Sequence, residues 1–185
     1  PAERLEAALA GGVDVVQLRL KEAADEEIVA ASRVFREACD RHGALFVLND
    51  RPDLVEACGA DGVHVGQEDV SPAGARAVVG PERIVGLSTH SQEQLAAAMG
   101  QPIDYVAVGP VFATPTKPGR PAVGLELVRT AAATARLPWF AIGGIDVENA
   151  ATVVAAGAER LAVVRAIRDA EDPAAAARAL RALIT

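Results

Sequence analysis

Seven short, almost unbroken apolar runs, helical patterns between them, and polar or glycine residues after each run predict an α/β chain folded as a (β/α)8 TIM barrel. The runs are rich in valine and isoleucine and near-continuous in hydrophobicity, as parallel strands covered on both faces must be. Strict alternation with helices makes each crossover a right-handed βαβ unit. An open doubly wound sheet would gather its functional loops at one switch point, whereas here they follow every strand, which favours the barrel.

Taken in order, residues 2–9 form a helical pattern that belongs after a strand, and the first apolar run follows at 13–18. Ile28, Ala31, Phe35 and Cys39 then make one apolar helix face, opened near Asp25 and stopped by Gly43. Runs at 45–48 and 62–65 give the second and third strands. Ser71-Pro72 supplies an N-cap and first-turn proline for a helix ending near Gly80. The fourth strand is expected at 84–87, followed by a capping box of Ser91 and Gln94 and a helix ending near Gly100. Strands at 105–108, 139–142 and 161–164 complete the set, and Asp172-Pro173 opens the last helix. Seven strands are one fewer than the barrel needs, and 185 residues fall below the roughly 200 usual for it. The expectation is one domain over residues 1–185, N-terminally incomplete, with its first strand missing.

Composition narrows the function. Half the residues are hydrophobic, 51%, and a formal net charge of −7 argues against nucleic acid or an anionic membrane as partner, since both require a basic face. Small metabolites are the expected partners, the chain is open to forming a homo-oligomer, and a cytoplasmic location is expected from the absence of a leader or membrane-spanning pattern. Cys39 and Cys58 lack a metal spacing and read as buried thiols.

Catalytic groups of this fold gather where strands end. The first strand delivers Gln17, Arg19 and Lys21, whose two cations suit a diphosphate leaving group. Asp50, after Asn49, and Asp69 lie at the ends of the second and third strands. Two carboxylates plus substrate phosphates are a donor set for Mg2+, although Asn-Asp before Arg-Pro also reads as turn chemistry. Ser88-Thr89-His90 follows the fourth strand and offers hydroxyls to a polar ring. His64 and His90 read as hydrogen-bonded structural residues. The fifth strand leads into a long proline- and glycine-rich loop carrying Thr114, Thr116 and Lys117, suited to clamp an anion and to act as a lid. Gly143-Gly144, with Asp146 as a helix cap, and Val164-Arg165 follow the last two strands, where this fold commonly binds a phosphate. No Ser-His-acid set or lysine in an apolar strand suggests covalent catalysis.

Six of these segments together resemble the thiamine phosphate synthase family: Gln17-Leu18-Arg19-Leu20-Lys21, Asn49-Asp50-Arg51, Gly66-Gln67-Glu68-Asp69, Ser88-Thr89, Thr114-Pro115-Thr116-Lys117 and Ile142-Gly143-Gly144-Ile145. The resemblance implies that Gln17, Arg19, Lys21, Asn49, Ser88 and Lys117 contact a pyrimidine diphosphate, that Asp50 and Asp69 hold magnesium, and that Thr114, Thr116, Gly144 and Val164 hold a thiazole phosphate. Arg165 stands where the family often has serine and retains the capacity to bind phosphate. The implied transferase reaction expels pyrophosphate to leave a pyrimidinylmethyl cation, which the thiazole nitrogen captures. Arg19, Lys21 and Lys117 would stabilise the leaving group. Two alternatives stand beside it: a thiazole tautomerase on a similar barrel, with His90 as base, and a non-catalytic fragment.

Overall fold

All seven apolar runs become parallel strands in a computed structural model that describes residues 2–114 and 121–184. They are β1 (Val15–Leu18), β2 (Leu45–Asn49), β3 (Gly62–Val65), β4 (Ile84–Thr89), β5 (Tyr105–Val108), β6 (Trp139–Ile142) and β7 (Leu161–Ala162), hydrogen-bonded in that order. The sheet is curled, as a TIM barrel requires. Among the described residues β1 pairs only with β2 and β7 only with β6, so the sheet stays open between them. The eighth strand of the barrel count is not among the described elements.

Helices cover the outer face: α1 (Ala2–Ala10), α2 (Asp25–His42), α3 (Val55–Cys58), α4 (Pro72–Val79), α5 (Gln92–Ala98), α6 (Gly124–Thr134), α7 (Ala150–Ala155), α8 (Arg165–Arg168) and α9 (Pro173–Leu183). None is long and apolar enough to cross a membrane. The capping signals act locally as read. Gly43 closes α2 in the left-handed conformation, the Ser71 hydroxyl accepts from Gly74 N–H, and Asp172 accepts from Ala175 N–H. Two caps differ from expectation. Gln94 bonds the N–H of His90 rather than that of Ser91, and Asp146 caps the turn ahead of α7, accepting from Glu148 and Asn149, while Asn149 takes the N-cap position. Strand ends also move: β1 begins at Val15 rather than at 13, and β2 runs on to Asn49. Ser88 and Thr89 are the last residues of β4 rather than a loop after it, and β7 stops at Ala162 so that Val164 caps α8.

The core lies between strands and helices, with Phe46, Leu48, Val63, Val65, Val85, Val106 and Val128 at its centre, and Cys39 and Cys58 are both buried free thiols. Desolvation pushes the Cys39 thiol up to about 11, which keeps it protonated and unreactive at neutral pH. At the N-terminal ends of the strands, three aspartates immediately precede β1, β3 and β5, and each meets an arginine. Arg181 of α9 pairs with Asp14 at 2.6 Å, Arg36 of α2 with Asp61 at 2.9 Å, and Arg76 of α4 with Asp104 at 2.6 Å. Asp61 also accepts from Phe46 N–H and Asp104 from Val85 N–H, so each joins a strand to its neighbour through a charge-assisted bond.

Candidate active site at the strand ends

The expected groups divide into two clusters at the C-terminal ends of the strands. In the first, Lys21 reaches from beyond β1 to Asp50, with Nζ 2.8 Å from Oδ2, and lies 4.0 Å from Asp69 Oδ1. The hydrogen bond from Lys21 to Asp50, reinforced by both carboxylates, holds the ammonium above its ordinary value, so it stays charged throughout the neutral range. Asp69 is oriented by its own loop, its Oδ2 accepting from Gly66 N–H at 2.8 Å.

Asp50 is the one described non-glycine residue with positive φ, 63°, its N–H donating to His64 O at 2.9 Å. Aspartate tolerates this left-handed geometry better than most residues, yet it still costs on the order of 1 kcal/mol. The geometry is one that the turn chemistry of Asn-Asp allows, and it leaves the Asp50 carboxylate at the strand end beside Lys21. Arg51, beside it, is structural. Its guanidinium spans Asp25 at the start of α2 and Asp53, fixing the loop that carries Asp50.

Gln17 and Arg19 follow the alternation of β1 and are exposed, while Val16 and Leu18 turn into the core. Asn49 ends β2, nearly buried, level with His64 on β3. Among the described residues no group of three or more His, Cys, Asp or Glu side chains could enclose a metal. Asp50 and Asp69 do meet at one cation, the Lys21 ammonium. Their hard oxygen donors fit a divalent ion that keeps most of its coordination for water and phosphate.

The second cluster is a cavity of about 320 Å3 at the ends of β4 to β7, lined among others by Ser88, His90, Thr114, Gly144, Val164 and Arg165. Its floor is set by the loop after β5, whose Val111 and Phe112 N–H groups donate to Ile142 and Gly143 carbonyls. This close approach explains the glycine pair. A Cβ on Gly143 would stand 2.4 Å from Pro110 Cα, one on Gly144 would stand 2.7 Å from Phe112 Cβ, and both residues have positive φ. The Asn149 amide donates to Gly144 O and further fixes the turn. His90 Nδ1 lies 2.5 Å from Gly109 O, tying the end of β4 to the same loop. Thr116 and Lys117, with Pro115 and residues 118–120 of the expected lid, lie outside the described residues.

Ser88 thus lines the cavity, Lys21, Asp50 and Asp69 form the charged cluster with Arg19 near enough to Lys21 to act on its charge, and Gln17 and Asn49 lie near the ends of β1 and β2. A connection between the strands escaped sequence reasoning. His64 Nε2 lies 2.8 Å from Ser88 Oγ and its Nδ1 lies 2.8 Å from Tyr105 Oη, while Gln67 Nε2 donates to Ser88 O at 2.7 Å. The available signal was Gly86, a glycine inside a strand, which marks a close approach.

Known proteins resemble the chain in sequence and in shape. Residues 1–167 match the family model described as thiamine monophosphate synthase. The chain is 55% identical to a thiamine-phosphate synthase of Thermobifida fusca over 97% of its own length and 84% of that protein, and 54% identical to one of Acidothermus cellulolyticus over 94% and 82%. A solved thiamine phosphate pyrophosphorylase from Pyrococcus furiosus, 34% identical, superposes with a TM-score of 0.91 over 99% of this chain and 88% of that one. The chain therefore belongs to the thiamine monophosphate synthase family.

Proposed function

We propose that this chain is a thiamine-phosphate synthase, a transferase that joins a pyrimidine diphosphate to a thiazole phosphate and releases pyrophosphate. The observation that carries the reading is the pairing of two unlike clusters at the same ends of one sheet: Lys21 between Asp50 and Asp69 beyond β1–β3, and a glycine-floored cavity beyond β4–β7.

The pyrimidine diphosphate occupies the first cluster. Gln17 and Asn49 donate amide hydrogens, Ser88 contacts the ring, and Arg19, Lys21 and Lys117 face the diphosphate. As the carbon–oxygen bond breaks, its electron pair leaves with pyrophosphate, and fixed positive charge there lowers the barrier. Magnesium on Asp50 and Asp69, when bound, supplies further positive charge to the diphosphate oxygens. The thiazole phosphate lies in the cavity with Thr114, Thr116, Gly144, Val164 and Arg165 around its phosphate. Its ring nitrogen, held near the pyrimidinylmethyl carbon, forms the new carbon–nitrogen bond, so the step needs positioning rather than a general base. Apolar walls limit access of water to the cation.

Incubating the protein with both substrates, with and without magnesium, tests the reading. Thiamine phosphate and pyrophosphate in equal amounts, formed only with the metal present, are expected. A folded protein that yields neither overturns it.

A further inference from the structure

Tyr105, His64 and Ser88 come from β5, β3 and β4, and their contact depends on a residue with no side chain. By strand register Gly86 of β4 is level with His64 on one side and Tyr105 on the other. A Cβ at Gly86 would stand 2.1 Å from Tyr105 Cζ and 2.5 Å from its hydroxyl oxygen. The bare backbone of β4 therefore lets the phenol lie across the strand and reach His64 Nδ1 at 2.8 Å. Two residues further along β4, on the same face, Ser88 Oγ meets the other ring nitrogen at 2.8 Å. His64 and Ser88 are both buried, and the rings of His64 and Tyr105 lie 5.4 Å apart.

Hydrogen-bond accounting gives this chain a direction. A phenol has one hydrogen to donate, burial holds Tyr105 above its ordinary value and so protonated, and a neutral imidazole has one donor and one acceptor nitrogen. With Tyr105 O–H donating to Nδ1, His64 carries its hydrogen on Nε2 and donates to Ser88 Oγ. The Ser88 hydrogen is then available to the cavity. In the reverse order the phenol hydrogen would be turned away from its polar neighbour within the barrel, at the cost of an unmet donor.

We propose that Tyr105 and His64 are positioning residues that fix the Ser88 hydroxyl as a hydrogen-bond donor, so that Ser88 selects an acceptor atom of the pyrimidine. The inference rests on the synthase reading, which places the pyrimidine against Ser88.

Two measurements on the whole chain test it. Nitrogen-15 NMR of labelled histidine, with His64 assigned through His64→Asn, should find the Nε2–H tautomer. Calorimetry should find Tyr105→Phe weakening pyrimidine diphosphate binding about tenfold, with thiazole phosphate binding within about twofold of the parent. Combining it with Ser88→Ala should add nothing to Ser88→Ala alone, a result that a general packing defect does not give. An Nδ1–H tautomer, equal weakening of both ligands, or additive losses overturn the proposal. Failure of the synthase reading is separate, because the parent protein would then bind no pyrimidine diphosphate.

Discussion

At the ends of β1–β3 the chain gathers opposite charges in one open cluster; at the ends of β4–β7 it encloses a cavity lined by glycine backbone, apolar side chains, hydroxyls and Arg165. The first cluster is self-neutralised and open, Lys21 satisfying Asp50 while its side chain stays 43% exposed. The second encloses space, with a turn whose two glycines are required by the loop packed against them. A charged, open site can exchange its internal ion pair for a highly charged ligand at little cost in packing. A walled cavity discriminates by shape. Under the proposed function, departure of the diphosphate would belong to the first and orientation of the nucleophile to the second.

Asp50→Asn should break this division most severely. Asparagine also tolerates the left-handed backbone at this position, so the fold and thermal midpoint should change little while turnover falls by roughly a hundredfold. Steady-state kinetics beside a melting curve check this, and an equal loss of stability and activity would move Asp50 to the scaffold.

Gly144→Ala probes the other cluster. Its Cβ would meet both Phe112 and the Ala113 carbonyl at positive φ, so the loop must shift. KM for the thiazole phosphate should rise about tenfold and that for the pyrimidine diphosphate much less, with a loss of stability of about 1–3 kcal/mol. Equal changes in the two KM values would mean that the clusters are not separable.

The smallest effect concerns the scaffold of the charged side. Bonding to Arg51 lowers Asp53, and likewise Asp25, below the ordinary 3.8. A depressed carboxylate contributes stability above its unfolded value and loses it as pH falls through the folded one. Arg51→Gln should therefore lower the thermal midpoint by a constant amount at pH well above 3.8, and the gap should narrow and close as pH falls through the lowered folded-state values. A gap independent of pH would show that Arg51 acts through packing alone.

What could be read before any coordinates follows the same line. All seven strands were legible as apolar runs, although β1, β6 and β7 are only partly buried, and Lys21, Asp50 and Asp69 were legible as charges at strand ends, which the structure brings together in one cluster. Helix α8 and the cut-off of β7 at Ala162 were not, since Leu161 to Val164 is uniformly apolar and gives no period to divide it. Gly143-Gly144 was noticed as backbone freedom toward a phosphate, but its steric cause lies in Pro110 and Phe112, more than thirty residues away. The chain from Tyr105 to Ser88 was hidden for the same reason. His64 looked like a structural histidine, and only strand register brings its two partners to it.

The three aspartate–arginine pairs at the opposite ends of the strands impose an unequal rhythm on the sheet. Asp61 ties α2 and β2 to β3, and Asp104 ties α4 and β4 to β5. The other four seams, β1 to β2, β3 to β4, β5 to β6 and β6 to β7, have no counterpart among the described pairs. Asp14 instead reaches Arg181, joining the beginning of the chain to its final helix. The middle of the sheet is thus fastened as two adjacent strand pairs, β2–β3 and β4–β5, while Asp14 and Arg181 fasten the edge at β1 to α9, a grouping by twos laid over a fold usually counted in single strand-helix units.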